Sequence, residues 1–316
     1  MENCYLCKSD TLVIIQEHLR HGIERKVFSC TVCELVFLDP QRKNLQEFYQ
    51  KQYRKLHSPV IGKELGVQEF FDINKPLQVS RIEKVRHLLT PSMRVLDVGS
   101  SAGMFLNAIR PLVGECIGIE FDEIYARFAE EQFQIKTFTK PIEETDLELH
   151  SFDIISVLEV LEHIEDPLRF LSTIKKYLKP GGVVYIEVPN HDDSLLSVFD
   201  CKGYRDFYYR EPHIFYYNPR TLMTMMHQAG FEGKILPSGL EPNILNQLNW
   251  ILTEKPQATA TLAYGQPLLP FIPKVHQELK RQFTSLVEKF DQEYRKLVEN
   301  QLLCSHLVFL GTIREE

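Results

Sequence analysis

The 316-residue sequence predicts an α/β protein: a doubly wound parallel sheet, with a small cysteine-bearing unit ahead of it and a helical block set before the last strand. Three observations lead there. Arg94 to Glu120 reads as strand, glycine turn, helix and second strand, the first half of a nucleotide-binding βαβ unit. From there to Asn190, apolar strands alternate with amphipathic helices through short connections. The first forty residues hold Cys4-x-x-Cys7 and Cys30-x-x-Cys33. At 44% hydrophobic residues the chain can bury a real core, and its length suggests two or three domains.

Residues 1–40 are expected to be a zinc ribbon. Two cysteine knuckles separated by alternating β-like segments supply four soft ligands, which close a tetrahedral shell and leave no position for a substrate. The zinc is therefore expected to be structural, since so short a segment needs a metal to stay folded. Disulfides are the alternative, disfavoured in a reducing compartment. Cys116, Cys201 and Cys304 lack ligand spacing. Residues 41–90 read as a helical linker or lid. It comprises a helix from Asn44 to Leu56 carrying Leu45, Phe48, Tyr49 and Tyr53, a loop from Ser58 to Gly66, and an amphipathic helix from Ser80 to Leu89.

Residues 91–238 form the expected core. Val95, Leu96 and Val98 make a strand interrupted by Asp97, and Gly99-Ser100-Ser101-Ala102-Gly103 turns it into a helix with Met104, Phe105, Ala108 and Ile109 on one side. The strand from Cys116 to Ile119 ends in Glu120. A helix follows from Glu123 to Gln132, then a short strand from Ile135 to Thr139. Phe152 to Leu158 is apolar almost throughout and so is buried on both faces. Asp166-Pro167 starts a helix with an N-cap acid and proline at the first position, and Pro180-Gly181-Gly182 stops it before the strand Val183 to Val188. Residues 191–217 break the rhythm with many aromatics. A helix from Pro219 to Ala229 and a strand from Lys234 to Leu236 complete this part.

Residues 239–303 are the expected helical insertion, and 304–316 hold the final core strand, His306 to Ile313. From Ile272 to Val298 apolar residues recur at about 3.6 rather than 3.5, which favours a long helix packed on a globular body or a dimer partner over a supercoil. A net charge of −7 argues against a nucleic-acid footprint, which needs a clustered basic face. No apolar run reaches the ~18 residues of a membrane span, and the N-terminus lacks a signal-peptide layout, so a cytoplasmic protein is expected.

The glycine turn carries the chemistry. A dinucleotide fingerprint needs a third glycine where Met104 stands, which sets a NAD-dependent enzyme aside. What is present, Asp-x-Gly-x-Ser-x-Gly, resembles motif I of the Rossmann-like class I S-adenosylmethionine (AdoMet) methyltransferases. VLDVGSSAG, CIGIE, FDIISVLEVLEHIEDPLRFL, LKPGGVVYIEVPN and the helix ending QAGF extend that resemblance over roughly residues 80 to 238 plus the last strand. It implies that Asp97, Gly99, Ser100 and Gly103 surround the methionine end of AdoMet. By the same resemblance Glu120 holds the ribose, Phe121 lies against the adenine, Ile142 and Glu143 edge it, and Leu158 and Glu159 face the reacting centre. Ser101 replaces the usual middle glycine and should stiffen the loop.

The ribbon followed by this loop also resembles the zinc-ribbon methyltransferases of sugar and glycan biosynthesis, although the C-terminal block is shorter than in the deoxysugar C-methyltransferases. In those a Tyr-x-Glu-His segment after strand five supplies the base and substrate contacts. Here the corresponding stretch is YYREPHIFYY, which implies His213 as base, with Tyr209 and Glu211 orienting it or the substrate. His163, in Glu162-His163, is the competing candidate. The expected partner is a small, sugar-type substrate, with a possible homodimer through residues 272–298. The alternatives are a zinc-ribbon RNA methyltransferase and a non-enzymatic interaction protein.

Overall fold

A computed structural model describes residues 3–39, 65–267 and 276–315. The helix expected at Asn44 to Leu56, most of the loop after it, and residues 272–275 lie outside the described residues.

Eleven strands form two sheets among the described residues. The larger has seven strands in the order β10-β11-β8-β7-β4-β5-β6. These are β4 (Arg94–Val98), β5 (Glu115–Ile119), β6 (Lys136–Phe138), β7 (Phe152–Leu158), β8 (Leu178–Pro189), β10 (Phe231–Pro237) and β11 (His306–Ile313). β4, β5, β6, β7 and β8 pair in parallel, whereas β11 runs antiparallel to both β8 and β10. The sheet is therefore mostly parallel, not wholly so.

Strand alternation sends side chains to two separate cores. Leu96, Val98, Ile155, Val157, Val184 and Ile186 pack with Leu171, Ile174, Leu222 and Met225 on one face. Val95, Ile154, Leu158 and Tyr185 pack with Val85, Phe105, Leu106 and Ile109 on the other. Helices thus cover both sides. Asp166 caps its helix as expected, its carboxylate accepting from the Arg169 N–H at 3.2 Å. Pro180 to Gly182 do not follow a coil break but lie within β8, which begins one residue after the helix ends at Tyr177.

The smaller sheet has the order β1-β2-β3-β9, with β1 (Leu12–Leu19), β2 (Ile23–Cys30) and β3 (Val36–Leu38) from the ribbon. Its fourth strand, β9 (Phe215–Tyr216), comes from the aromatic stretch after β8, pairing Val36 with Tyr216 and Phe37 with Phe215. The boundary expected at residue 40 is crossed by main-chain pairing. Further contacts dock the ribbon: the Tyr5 hydroxyl donates to Asp166 Oδ1 at 2.5 Å and accepts from the Leu168 N–H, and Gln228 donates to the Leu6 carbonyl. The expected helical insertion resolves into Ile244–Thr253, Ala260–Tyr264 and the 24-residue helix Gln277–Asn300.

Candidate active site at the carboxyl edge of the sheet

β4 leaves the sheet at its carboxyl end and bends through Gly99 (φ 81°), Ser101 (φ 50°) and Gly103 (φ 73°) into Met104–Ile109. A Cβ on Gly99 would run into a Val160 methyl, and one on Gly103 would lie 3.0 Å from the Ala129 Cβ. The glycines therefore let the turn nest against its own protein neighbours, besides baring backbone to a ligand. Ser101 adopts the left-handed region without being glycine, and its N–H donates to Glu120 Oε2 at 2.8 Å. The Asp122 N–H donates to Glu120 Oε1 at 2.9 Å. Gly118 makes room for the Ser100 hydroxyl, which is buried with no hydrogen-bond partner among the described residues.

Phe121 follows Glu120, half-buried, and Ile142 is buried in the turn Ile142–Glu144, where the Tyr177 hydroxyl donates to its carbonyl. Glu143 accepts from Thr173 at 3.4 Å. Leu158 ends β7 with only 8% exposure and packs in the second core, and Glu159 follows at φ 56°. The turn, an orphaned serine hydroxyl and the Glu120 carboxylate form a cradle whose polar groups fit a nucleoside with an amino-acid tail.

A buried ion cluster at this edge was not foreseen from the sequence. Arg81, on the helix Gln78–Val85, donates to Glu159 Oε1 at 2.5 Å and to Glu187 Oε1 at 2.9 and 2.5 Å. Burial works against the Glu159 charge, but Arg81 outweighs it and holds that carboxyl below the usual range. Asp97 accepts from the Ser156 hydroxyl at 2.6 Å, yet burial raises its pKa to about 7. Arg81 lies within an otherwise amphipathic helix, and Glu187 within an apolar strand. A charge in a run that should be buried was the available signal.

The four residues expected to bring a base to the acceptor are placed differently. His213 is 2% exposed, and its Nε2 accepts from Arg210 Nε at 2.9 Å, so that lone pair is committed. Tyr209 pairs with His191, not His213: its hydroxyl meets His191 Nε2 at 2.9 Å, and the rings of Tyr209 and His213 both touch Tyr216. Glu211 stands near enough to Arg25 to influence its charge. His163 is 4% exposed and its Nδ1 lies 2.8 Å from the Pro212 carbonyl; burial lowers its pKa to about 4. The structure brings the His163 and His213 rings together, 4.7 Å between centroids, both buried. His191 also stays neutral, burial lowering it to about 4.

A cavity of about 540 Å³ opens beside this edge, between the helices of residues 67–85 and the insertion. Ser80, Leu77, Glu83, Leu240, Glu241 and Tyr264 are among its walls. No helix among the described residues is long and apolar enough to cross a membrane.

In the ribbon, Cys4 Sγ lies 3.5 Å from Cys33 Sγ and Cys7 Sγ 3.5 Å from Cys30 Sγ, with all four sulfurs within 4.8 Å of one another. Zinc–sulfur bonds of ~2.3 Å in a tetrahedron space sulfurs about 3.8 Å apart, so this set fits one zinc ion.

A mostly parallel seven-stranded sheet with an antiparallel β11, bearing a glycine turn opposite an acid at its carboxyl edge, defines the Rossmann-like class I AdoMet-dependent methyltransferases. Residues 74–234, about half of the chain, match the methyltransferase domain family, and the chain belongs to that family. An uncharacterized protein of Methanocaldococcus jannaschii is 26% identical over 165 residues, 52% of this chain and 76% of that one. A ubiquinone biosynthesis O-methyltransferase of Bordetella avium is 26% identical over 186 residues, 56% of this chain and 75% of that one. Among solved structures, the Haemonchus contortus phospholethanolamine N-methyltransferase 2, bound to phosphomonomethylethanolamine and S-adenosylhomocysteine, aligns with a TM-score of 0.50 at 16% identity. It spans 89% of this chain and 62% of that one, and shares the fold.

Proposed function

We propose that this methyltransferase acts on a small, hydroxyl-rich metabolite of saccharide type. The observation that carries the reading is the cavity between the helices of residues 67–85 and the insertion. Its serine and carboxylate walls suit an array of hydroxyl donors, and Leu77, Leu240 and Tyr264 suit the C–H faces of a ring. In this reading Glu120 accepts from ribose hydroxyls, while Asp97, Gly99, Ser100 and Gly103 hold the amino-acid end. Phe121, Ile142 and Glu143 border the adenine, and Leu158 and Glu159 border the reacting centre. When bound, AdoMet supplies an electrophilic sulfonium methyl. The chain's part is to align the acceptor and exclude water from it. No base is assigned, because His163, His213 and Tyr209 are all buried.

Cys4, Cys7, Cys30 and Cys33 are proposed to hold a structural zinc. The helix Gln277–Asn300 exposes Leu279, Phe283, Leu286, Phe290 and Leu297, each at least 47% accessible, and this stripe is proposed as a face for a second copy. The named relatives that are ubiquinone biosynthesis O-methyltransferases favour a second reading, a phenolic acceptor. Incubation with labelled AdoMet and a panel of nucleotide sugars, glycans, phenols and RNA separates these. Label in the sugar fractions supports the proposal; label confined to phenols or RNA overturns it.

A further inference from the structure

A second group of ligand-type side chains lies outside the ribbon. Glu162 and His163 come from the turn Leu161–His163 that follows β7. His213 comes from the segment leading into β9, stitched to that turn by the Ile214 N–H donating to the Glu162 carbonyl at 2.7 Å. All three side chains are at least 95% buried. His163 Nε2 is 3.7 Å and His213 Nε2 4.0 Å from the same oxygen, Glu162 Oε1, and one donor atom from each residue falls within 4.8 Å of the others.

Two further observations point to a missing occupant. Neither carboxylate oxygen of Glu162 has a hydrogen-bond partner by distance and angle among the described residues. The hydroxyl of Tyr217, close enough to feel the Glu162 charge, is likewise buried without one. Leaving such groups unmatched in the interior is costly, the more so when one is charged. The tautomers are also the right ones. His163 Nδ1 faces the Pro212 carbonyl at 2.8 Å, so in the neutral ring it carries the proton. A ring nitrogen held on a carbonyl while the other faces a shared centre is the usual outer contact of a metal-bound histidine. Nε2 of His213 is the unprotonated nitrogen, since it accepts from Arg210 Nε at 2.9 Å.

We propose that Glu162, His163 and His213 bind a borderline divalent transition cation such as Zn²⁺, Co²⁺ or Fe²⁺, through one carboxylate oxygen and two imidazole nitrogens. Bonds of about 2.1 Å place neighbouring ligands about 3.4 Å apart in a tetrahedron. The observed 3.7 and 4.0 Å separations close to that with shifts of a few tenths of an ångström. Two imidazoles and a carboxylate select this class over calcium or magnesium, which take oxygen ligands. Arg210 is the competitor: its guanidinium occupies the His213 lone pair and must turn away when the cation enters. Arg210 is half-buried and already within the field of Glu159, which offers it another partner. The cation would pin the β7 exit to the loop that feeds β9, independently of the transfer reaction and of the acceptor.

The test uses the full-length protein with its ribbon loaded with zinc, titrated with Co²⁺ and followed by metal analysis and visible absorption. One further equivalent of cobalt is expected, with nitrogen/oxygen ligand-field bands and no thiolate charge-transfer band. Glu162→Gln should abolish that equivalent while the zinc content stays at one. Because Glu162→Gln could fail to fold, Arg210→Gln provides a second arm. Removing the competing cation should tighten cobalt binding at least tenfold. An absence of the second equivalent in the wild-type protein, a thiolate spectrum for it, or unchanged affinity in Arg210→Gln would each overturn the site.

Discussion

The two halves of the carboxyl edge are built by different means. Around the glycine turn, β4, the turn and β5 are adjacent in sequence, and the hydrogen bonds that fix Glu120 are local, running from Ser101 and Asp122. At the exits of β7 and β8, Arg81 meets Glu159 and Glu187, 78 and 106 residues away, and His163 meets the Pro212 carbonyl, 49 away. A short-range cradle can be written as a motif. A long-range one is written as isolated charges whose partners only the fold reveals.

The sharpest challenge to that contrast is Arg81→Ala. It leaves Glu159 and buried Glu187 without their cation, so a loss of about 3–5 kcal/mol is expected by denaturant unfolding. A small effect would mean the long-range cluster is incidental. Gly99→Ala tests the short-range side. The positive φ and the Val160 methyl together predict a cost on the order of 2–4 kcal/mol and weaker AdoMet binding by calorimetry. Adding Val160→Ala should restore part of both; no rescue would show that ligand approach, not packing, needs the glycine.

Asp97 adds a pH signature. Its folded pKa, raised to about 7 by burial, exceeds its unfolded value near 3.8. The unfolded chain releases the proton first, so this group's contribution to stability falls as pH rises from about 4 to 7 and stays low above that. Asp97→Asn should accordingly gain on the order of 2–4 kcal/mol at pH 8 relative to wild type, and little at pH 4. Leu240→Trp, which fills part of the cavity, should raise the acceptor KM several-fold while leaving AdoMet affinity unchanged; an equal loss of both would separate the cavity from the acceptor. Smallest is Glu115→Ala, which breaks an ion pair with Arg94 between half-exposed side chains and should cost less than about 1 kcal/mol with unaltered turnover.

What could be read from the sequence follows the same division. The strands Phe152–Leu158 and His306–Ile313 appear at their expected bounds because runs of apolar residues encode burial locally. The ribbon cysteines converge because two knuckles specify four ligands. The surroundings of His213 were not legible, since nothing near it in sequence signals that Arg210 takes its lone pair or that Glu162 lies across from it. The helix Val67–Asn74 was missed because its aromatic Phe70 and Phe71 sit in a short, polar stretch without a periodic stripe. The reversed direction of β11 was also invisible, because a buried strand carries the same apolar pattern in either direction.

The pairing of β3 with β9 has a consequence for how the chain matures on the ribosome. Val36 and Phe37 pair with Ser29 and Phe28 on one side, but find their neighbours on the other only at Tyr216 and Phe215, close to 180 residues later. At roughly 5–20 residues per second, the nascent N-terminal sheet waits about 10–40 seconds with an open edge. During that interval a metal already seated on Cys4, Cys7, Cys30 and Cys33 would be the main restraint keeping that edge from pairing with a neighbouring polypeptide.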